Sequence, residues 1–134
     1  MIAVTYAGRD RLRVDVRGHV LLADQPVEDG GDDTAPTPTE MFVSSLAACV
    51  AFYAERFLRR HGLPAEGLNV TADCRWAENP HRVGEIVLDV EAPGLTEMKR
   101  EAFERVIDHC TVHNSFRVSP VVRVKVAPSE VASA

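Results

Sequence analysis

The stretch TPTEMFVSSLAACVAFYA, residues 37–54, decides how the rest of this chain is read. Thr37-Pro38-Thr39-Glu40 has the form of a capping box, with Thr37 at the N-cap, Pro38 at the first helical position and Glu40 three residues on. The spacing predicts a helix from there to about His61, where Gly62 and Pro64 stop it. Twelve of the fourteen residues from Met41 to Ala54 are apolar, so the helix is hydrophobic almost all round. Such a helix must be covered on every side. The 14-residue run spans only about 21 Å, short of the ~20 residues a membrane span needs, and reads as a core helix. One sheet covers one side only, so a second subunit is expected on the other. Ser44, Ser45, Ala47, Ala48 and Ala51 would let another helix approach closely.

Upstream of this helix the pattern is that of strands. Ile2, Val4 and Tyr6 alternate with Ala3 and Thr5, and Leu12, Val14 and Val16 alternate with Arg11, Arg13, Asp15 and Arg17. Turns fall at residues 8–10 and 18–19, and a third strand is expected over Val20 to Ala23. The acidic, Gly- and Pro-rich segment from Asp24 to Pro38 is a loop, and loops of that length inside a domain are often functional. Downstream, GLNVTADCRWA alternates Leu68, Val70, Ala72, Cys74 and Trp76 on one face. This phase puts Cys74 on the core face as a structural residue. A turn at ENPHRVG leads to a returning antiparallel strand marked by Ile86, Leu88 and Val90. A second helix starts near Thr96, with Met98, Ala102, Val106 and Cys110 at successive i+4 positions. The segment Cys110 to Phe116 reads as a helix end or short extra turn, flexible over Thr111 to Asn114, and Val122, Val124 and Val126 alternate with Arg123 and Lys125 as a last strand. The order βββ-α-ββ-α-β is an α+β fold. The 134 residues fit one domain, 1–134.

Composition narrows the function classes. Fifteen Lys+Arg against twenty Asp+Glu give a net charge of -5, which argues against a nucleic-acid or anionic-membrane surface. Three widely spaced cysteines form neither a disulfide framework nor a C-x-x-C zinc pattern. No basic-then-apolar leader opens the sequence, so a cytoplasmic protein with reduced thiols is the expectation. No G-x-x-x-x-G-K-[ST], G-x-G-x-x-G or H-E-x-x-H occurs. His109-Cys110-x-x-His113 superficially resembles a metal site but lacks a second ligand cluster. His19, His61 and His81 fall at turns or helix ends and read as surface residues.

Cys49 and Cys110 carry the open question. They are either two small core residues or a thiol pair that forms a disulfide during turnover, which requires α-carbons within about 7 Å. Glu40 and Arg9 could orient an oxidant and lower a thiol pKa. Glu40 is equally explained by the capping box, and Arg9 by its turn. Nine residues separate Glu40 from Cys49, half a turn out of phase, so direct cooperation needs a distorted helix or a partner subunit. Cys49 lies too far along its helix for the dipole to help it, so a reactive thiolate there needs a cation.

Two segments resemble signatures of a known family. PTPTEMFVSSLAACVAF, with Glu40 nine residues before Cys49, is similar to the first signature of OsmC-like proteins, the group that includes the organic hydroperoxide resistance proteins. HCTVHNSF, holding Cys110, resembles the second. AGRD at Ala7 to Asp10, GH at Gly18-His19, DQP at Asp24 to Pro26 and Gly30-Gly31 match as well, so the likeness spans roughly residues 3 to 127. It implies an OsmC-like fold, an intertwined homodimer with the two cysteine-bearing helices at its centre. It also implies a thiol-dependent peroxidase acting on organic hydroperoxides, with hydrogen peroxide as a secondary candidate. In that reading Cys49 is peroxidatic, Cys110 resolves it, and Arg9 holds thiolate and peroxide. Glu40 positions the arginine, and a dithiol reductant, of lipoyl or other type, restores the pair. No metal, flavin or haem is implied. The sequence departs from the family in three places. Its Glu stands one residue later than the carboxylate of the organic hydroperoxide resistance branch, which falls at Thr39. Thr111 replaces the proline that usually follows the second cysteine. The loop before the long helix lacks the arginine found there in OsmC proper. The alternative function is a non-enzymatic stress or small-ligand binding protein on the same fold.

Overall fold

The computed structural model describes residues 1–128. Strands β1 (Ile2–Tyr6), β2 (Leu12–Val16) and β3 (His19–Ala23) form an antiparallel sheet in that order. Gly8 and Arg9 (φ 98° and 52°) turn β1 into β2, while Arg17 and Gly18 (49° and 84°) turn β2 into β3. Arg17-Gly18 is a two-residue hairpin, which requires positive φ at both central residues, while the longer β1–β2 turn over residues 7–11 uses Gly8 at its own positive-φ position. The register sets Val4 opposite Val14 and Val14 opposite Leu21, gathering the apolar positions on one face.

Helix α1 runs from Pro38 to Arg60. The expected capping box is in place. The Glu40 backbone N–H donates to Thr37 Oγ1 at 3.1 Å, and the Thr37 N–H donates to Glu40 Oε1 at 2.9 Å. Gly62, in the left-handed region at φ 67°, ends the helix beyond its C-cap His61. Phe57 and Leu58 prolong the apolar run, so by length and composition α1 is long enough to cross a membrane. Its buried stripe, Val43, Leu46, Val50, Ala54, Phe57 and Leu58, follows the i+3/i+4 period and packs within the chain instead.

A second antiparallel pair, β4 (Asn69–Ala77) and β5 (Arg82–Glu91), lies against α1, with a bulge at Arg75/Trp76. A short 3₁₀ turn at Glu97–Lys99 leads into α2 (Arg100–Ile107), and α3 (Thr111–Arg117) follows. One core cluster joins Ala54, Phe57 and Leu58 of α1 to Phe103 of α2, with the Phe57 and Phe103 rings edge-on at 5.4 Å. The other joins Leu46 and Val50 to Cys110. The α+β expectation therefore holds, with antiparallel sheets and three helices.

Three expectations fail. Among the described residues the last strand does not form: Val121, Val122, Val124 and Val126 are 78–90% exposed and lie in no sheet. Alternation marks a sequence able to be a strand, but a strand also needs an edge to pair with. The second helix is shorter than its periodicity suggested, because Asp108 ends it and Cys110 lies outside. Cys74 and Trp76 are exposed rather than core residues. Their shared face turns toward α1, but across an open cavity that the chain leaves unfilled. The N-terminal sheet is likewise bare, with Ile2, Val4, Tyr6, Val20, Leu21 and Leu22 about half exposed or more.

Candidate active site

Cys49 sits midway along α1, on the flank of its buried stripe, and is half-buried. Cys110 is fully buried. The two come together in one apolar cluster with Leu46 and Val50, bordered by Tyr53, Val70, Ile86, Leu88 and Val112. Of the four site residues expected from the sequence, this pair is the one the chain brings together.

Cys110 is not a helical residue but the N-cap of α3, where its Sγ accepts the His113 backbone N–H at 3.4 Å. Burial pushes the Cys110 thiol above its ordinary pKa. Backbone hydrogen bonds from His113 and Val112 pull it the other way, and the neighbouring Cys49 adds to the rise. The segment that follows Cys110 forms the expected short extra turn as α3, but it is pinned rather than flexible. Arg117 donates to the Asp108 carbonyl at 2.7 Å and to its carboxylate at 2.8 Å, and Asn114 Nδ2 donates to the His109 carbonyl at 3.2 Å. Leu46, Ile86 and Leu88 of the thiol cluster also line, with Phe42, His113 and Phe116, a mainly apolar groove of about 430 Å³, whose lining includes neither cysteine.

Glu40 and Arg9 lie elsewhere in the single chain. Nine residues of α1 put Glu40 about 13 Å of helical rise from Cys49. It faces a different cavity, of about 640 Å³, together with Val43, Ala47, Asp73, Cys74 and Trp76. Arg9 is exposed at the β1–β2 turn and pairs with Asp32 at 3.0 Å, a carboxylate it shares with Arg11. Among the described residues no group of three or more His, Cys, Asp or Glu side chains is clustered to hold a metal ion. In the His109-Cys110-x-x-His113 segment, the His109 ring is turned to the Arg105 carbonyl.

Two arrangements were not read from the sequence. Asp24, 1% exposed, organises the long loop by accepting from the Gln25 N–H (2.7 Å), the Thr34 N–H (2.9 Å) and the Thr34 hydroxyl (2.6 Å). The Thr34 hydroxyl bond is the largest of the effects that bring its pKa down to about 2, against the opposing effect of burial. Gly31 completes this turn, since a Cβ there would sit 2.1 Å from the Gln25 carbonyl oxygen. The Tyr53 and Thr111 hydroxyls, 2.9 Å apart, join α1 to α3. The i, i+4 spacing of Cys49 and Tyr53 is the signal that could have drawn attention to this second arrangement.

A family model described as OsmC-like protein matches residues 30–125, which include both cysteine segments of the cluster. The chain belongs to the OsmC-like family. Solved structures with this fold include a Psychrobacter arcticus protein named for osmotic stress induction and detoxification response. It is 24% identical, with a TM-score of 0.78 and 85% of each chain covered. The organic hydroperoxide resistance protein OsmC of Legionella pneumophila is 21% identical, with a TM-score of 0.66 and coverage of 87% of this chain and 89% of that one. A Vibrio cholerae protein named for organic hydroperoxide resistance, with captopril bound in one of its active sites, is 18% identical. Its TM-score is also 0.66, with 89% of this chain and 85% of that one covered. A search of curated proteins finds no match. In this OsmC-like chain the long helix and the second cysteine segment stand against the β4–β5 pair, so its two cysteine segments meet at the buried thiol cluster.

Proposed function

We propose that this OsmC-like protein is a cysteine-based peroxidase that reduces organic hydroperoxides, with Cys49 attacking and Cys110 resolving. The observation that carries the reading is the meeting of two thiols from separate segments in one cluster, one half-buried and one fully buried. A peroxide can approach Cys49 but not Cys110, which favours that order of events. Cys49, as thiolate, attacks the terminal peroxide oxygen. An S–O bond forms, the O–O bond breaks, and the leaving alkoxide departs as alcohol after taking a proton. The sulfur loses two electrons to the peroxide and becomes a sulfenic acid. Cys110 then attacks that sulfur, the S–S bond forms, and water leaves. A dithiol of low potential returns both cysteines to thiols by exchange. The apolar groove beside the cluster suits an alkyl or aryl substituent better than hydrogen peroxide. The names of the Legionella and Vibrio proteins support the same substrate class.

The cation for Cys49 is assigned to Arg9, and the group that orients it to Glu40. Neither reaches the thiols within one chain, so both act across a homodimer in this reading. The bare N-terminal sheet, the unpaired residues after α3, and the exposed Phe42 and Phe52 on α1 favour such a dimer. The protein is expected to work in the cytoplasm, where thiols are kept reduced.

The test is thiol titration before and after stoichiometric cumene hydroperoxide. Fast loss of two thiols per chain is expected. In Cys110→Ser, dimedone should trap one sulfenic acid at Cys49 without repeated turnover, and Cys49→Ser should react no faster than a free thiol. A first sulfenic acid on Cys110 reverses the assignment. Slow, non-stoichiometric loss of thiols refutes the peroxidase. Sedimentation equilibrium showing a stable folded monomer at micromolar concentration removes the dimer.

A further inference from the structure

Cys49 and Tyr53 stand about one helical turn apart on α1, and both pack against the cluster of Leu46, Val50 and Cys110. Thr111 directly follows Cys110 and opens α3. The 2.9 Å bond between the Tyr53 and Thr111 hydroxyls therefore flanks both thiols, four residues from one and a single residue from the other. Among the described residues it is the hydrogen bond that joins α1 to α3. The other polar ties around Cys110 stay within its own segment: His113 N–H to Cys110 Sγ, Arg117 to Asp108, Asn114 to His109. Those ties stiffen the segment without fixing it to α1. Thr111 is exposed and Tyr53 half-exposed, so water would satisfy either hydroxyl if the other were absent. The bond is thus not needed to prevent an unsatisfied buried group. What it does is fix the position of one thiol-bearing segment on the other.

We infer that Tyr53 and Thr111 are positioning residues for formation of the Cys49–Cys110 disulfide, raising the effective concentration of each thiol at the other. This rests on the proposed pairing of those two cysteines. The step can be driven without peroxide. One oxidised glutathione takes two electrons from the dithiol, the S–S bond forms in the protein, and the two thiol protons leave on two molecules of reduced glutathione.

The experiment is equilibrium of the protein with oxidised and reduced glutathione, with the disulfide located by peptide mapping. Tyr53→Phe and Thr111→Val should each lower the equilibrium constant for disulfide formation by about 2- to 10-fold, the range one net hydrogen bond supplies. The double variant should lose no more than either single one, because one bond is being removed. Thr111→Ser should restore the wild-type constant, which a general loosening of the fold would not. If Tyr53→Phe does not fold, Thr111→Val at its exposed site carries the comparison. Unchanged constants in the single variants, additive losses in the double, or failure of Thr111→Ser to rescue each overturn the inference. So does the absence of a Cys49–Cys110 disulfide in the glutathione buffer. Should glutathione but not peroxide oxidise the pair, the peroxidase reading fails while the positioning role stands. If peroxide oxidises the pair and the variants match wild type, the positioning role fails alone.

Discussion

Replacing Glu40 separates the two jobs this residue is given. Its carboxylate accepts the Thr37 N–H at 2.9 Å, while the Glu40 N–H is bound by Thr37 Oγ1 at 3.1 Å. Glu40→Gln keeps an acceptor oxygen on a side chain of the same length and removes only the charge. Near a helix N-terminus an exposed negative charge is worth roughly 0.3–1 kcal/mol. Glu40→Ala removes the acceptor as well, a further ~0.5–1.5 kcal/mol, so its total loss should be about 0.8–2.5 kcal/mol. Thr37→Ala should cost about 1 kcal/mol by taking away the other half of the box. Urea unfolding of the three variants, at one protein concentration to hold any dimer equilibrium fixed, reads these values directly.

Peroxide consumption by the same proteins reads the second job. If Glu40 orients the arginine that serves Cys49, Glu40→Gln should lose activity by about tenfold, equivalent to ~1.4 kcal/mol, while remaining nearly as stable as wild type. A Glu40→Gln protein as destabilised as Glu40→Ala would refute the capping argument. A Glu40→Gln protein with wild-type turnover would leave Glu40 as a cap and nothing more.

Other perturbations probe separate parts of the chain. Leu58→Ala, at a residue with no exposed surface clustered with Phe57 and Phe103, should destabilise by about 2–5 kcal/mol in the same unfolding assay. The depressed pKa of Asp24 means that its contribution to stability is complete above the ordinary value of 3.8 and is lost as pH falls toward about 2. The melting-temperature gap between wild type and Asp24→Asn should therefore narrow across that window, and a gap that stays constant would contradict it. Iodoacetamide at pH 8 should modify Cys74 and Cys49 well before Cys110, as peptide mapping would show. Because Cys74 is exposed, Cys74→Ser should change neither stability nor peroxide consumption measurably; a clear loss of either would point to a covered or active thiol.

What the sequence makes legible is what local chemistry decides. The capping box needs only Thr37, Pro38 and Glu40 in order, and the helix end needs only a glycine able to take φ 67°. The hairpins need a residue pair with positive φ between two alternating runs, and β4 and β5 need a turn between theirs. Cys110 shows where such reasoning stops. It is in phase with Val106 at i+4, yet Asp108 ends α2 first. Arg117, nine residues on, binds both the Asp108 carbonyl and its carboxylate. A terminus held by a side chain from the next helix leaves no periodic mark. The Asp24–Thr34 pair shares that property, since it joins residues ten apart whose spacing carries no pattern.

The failed strand and the misplaced Cys74 have a different origin, and it bears on the proposed dimer. Alternation in Val122, Val124 and Val126, and the shared phase of Val70, Ala72, Cys74 and Trp76, both describe surfaces with one apolar side. Apolar surface on this scale is costly to leave in water: at about 25 cal/mol per Å² each exposed large side chain forgoes roughly 1.5–3 kcal/mol. The same imbalance recurs on the N-terminal sheet, where the apolar face set by the Val4–Val14–Leu21 register has no layer over it. Among the described residues the long helix is committed to β4 and β5, and no other element lies over that face. A second copy supplies one, because it brings an equally bare sheet and an equally unpaired valine segment. On the proposed reading, burial of Val122, Val124 and Val126 is a property of the pair of chains. Hydrogen exchange at those amides should then be protected at concentrations where the dimer forms and lost on dilution to monomer; equal exchange in both states would show that the alternation has no partner.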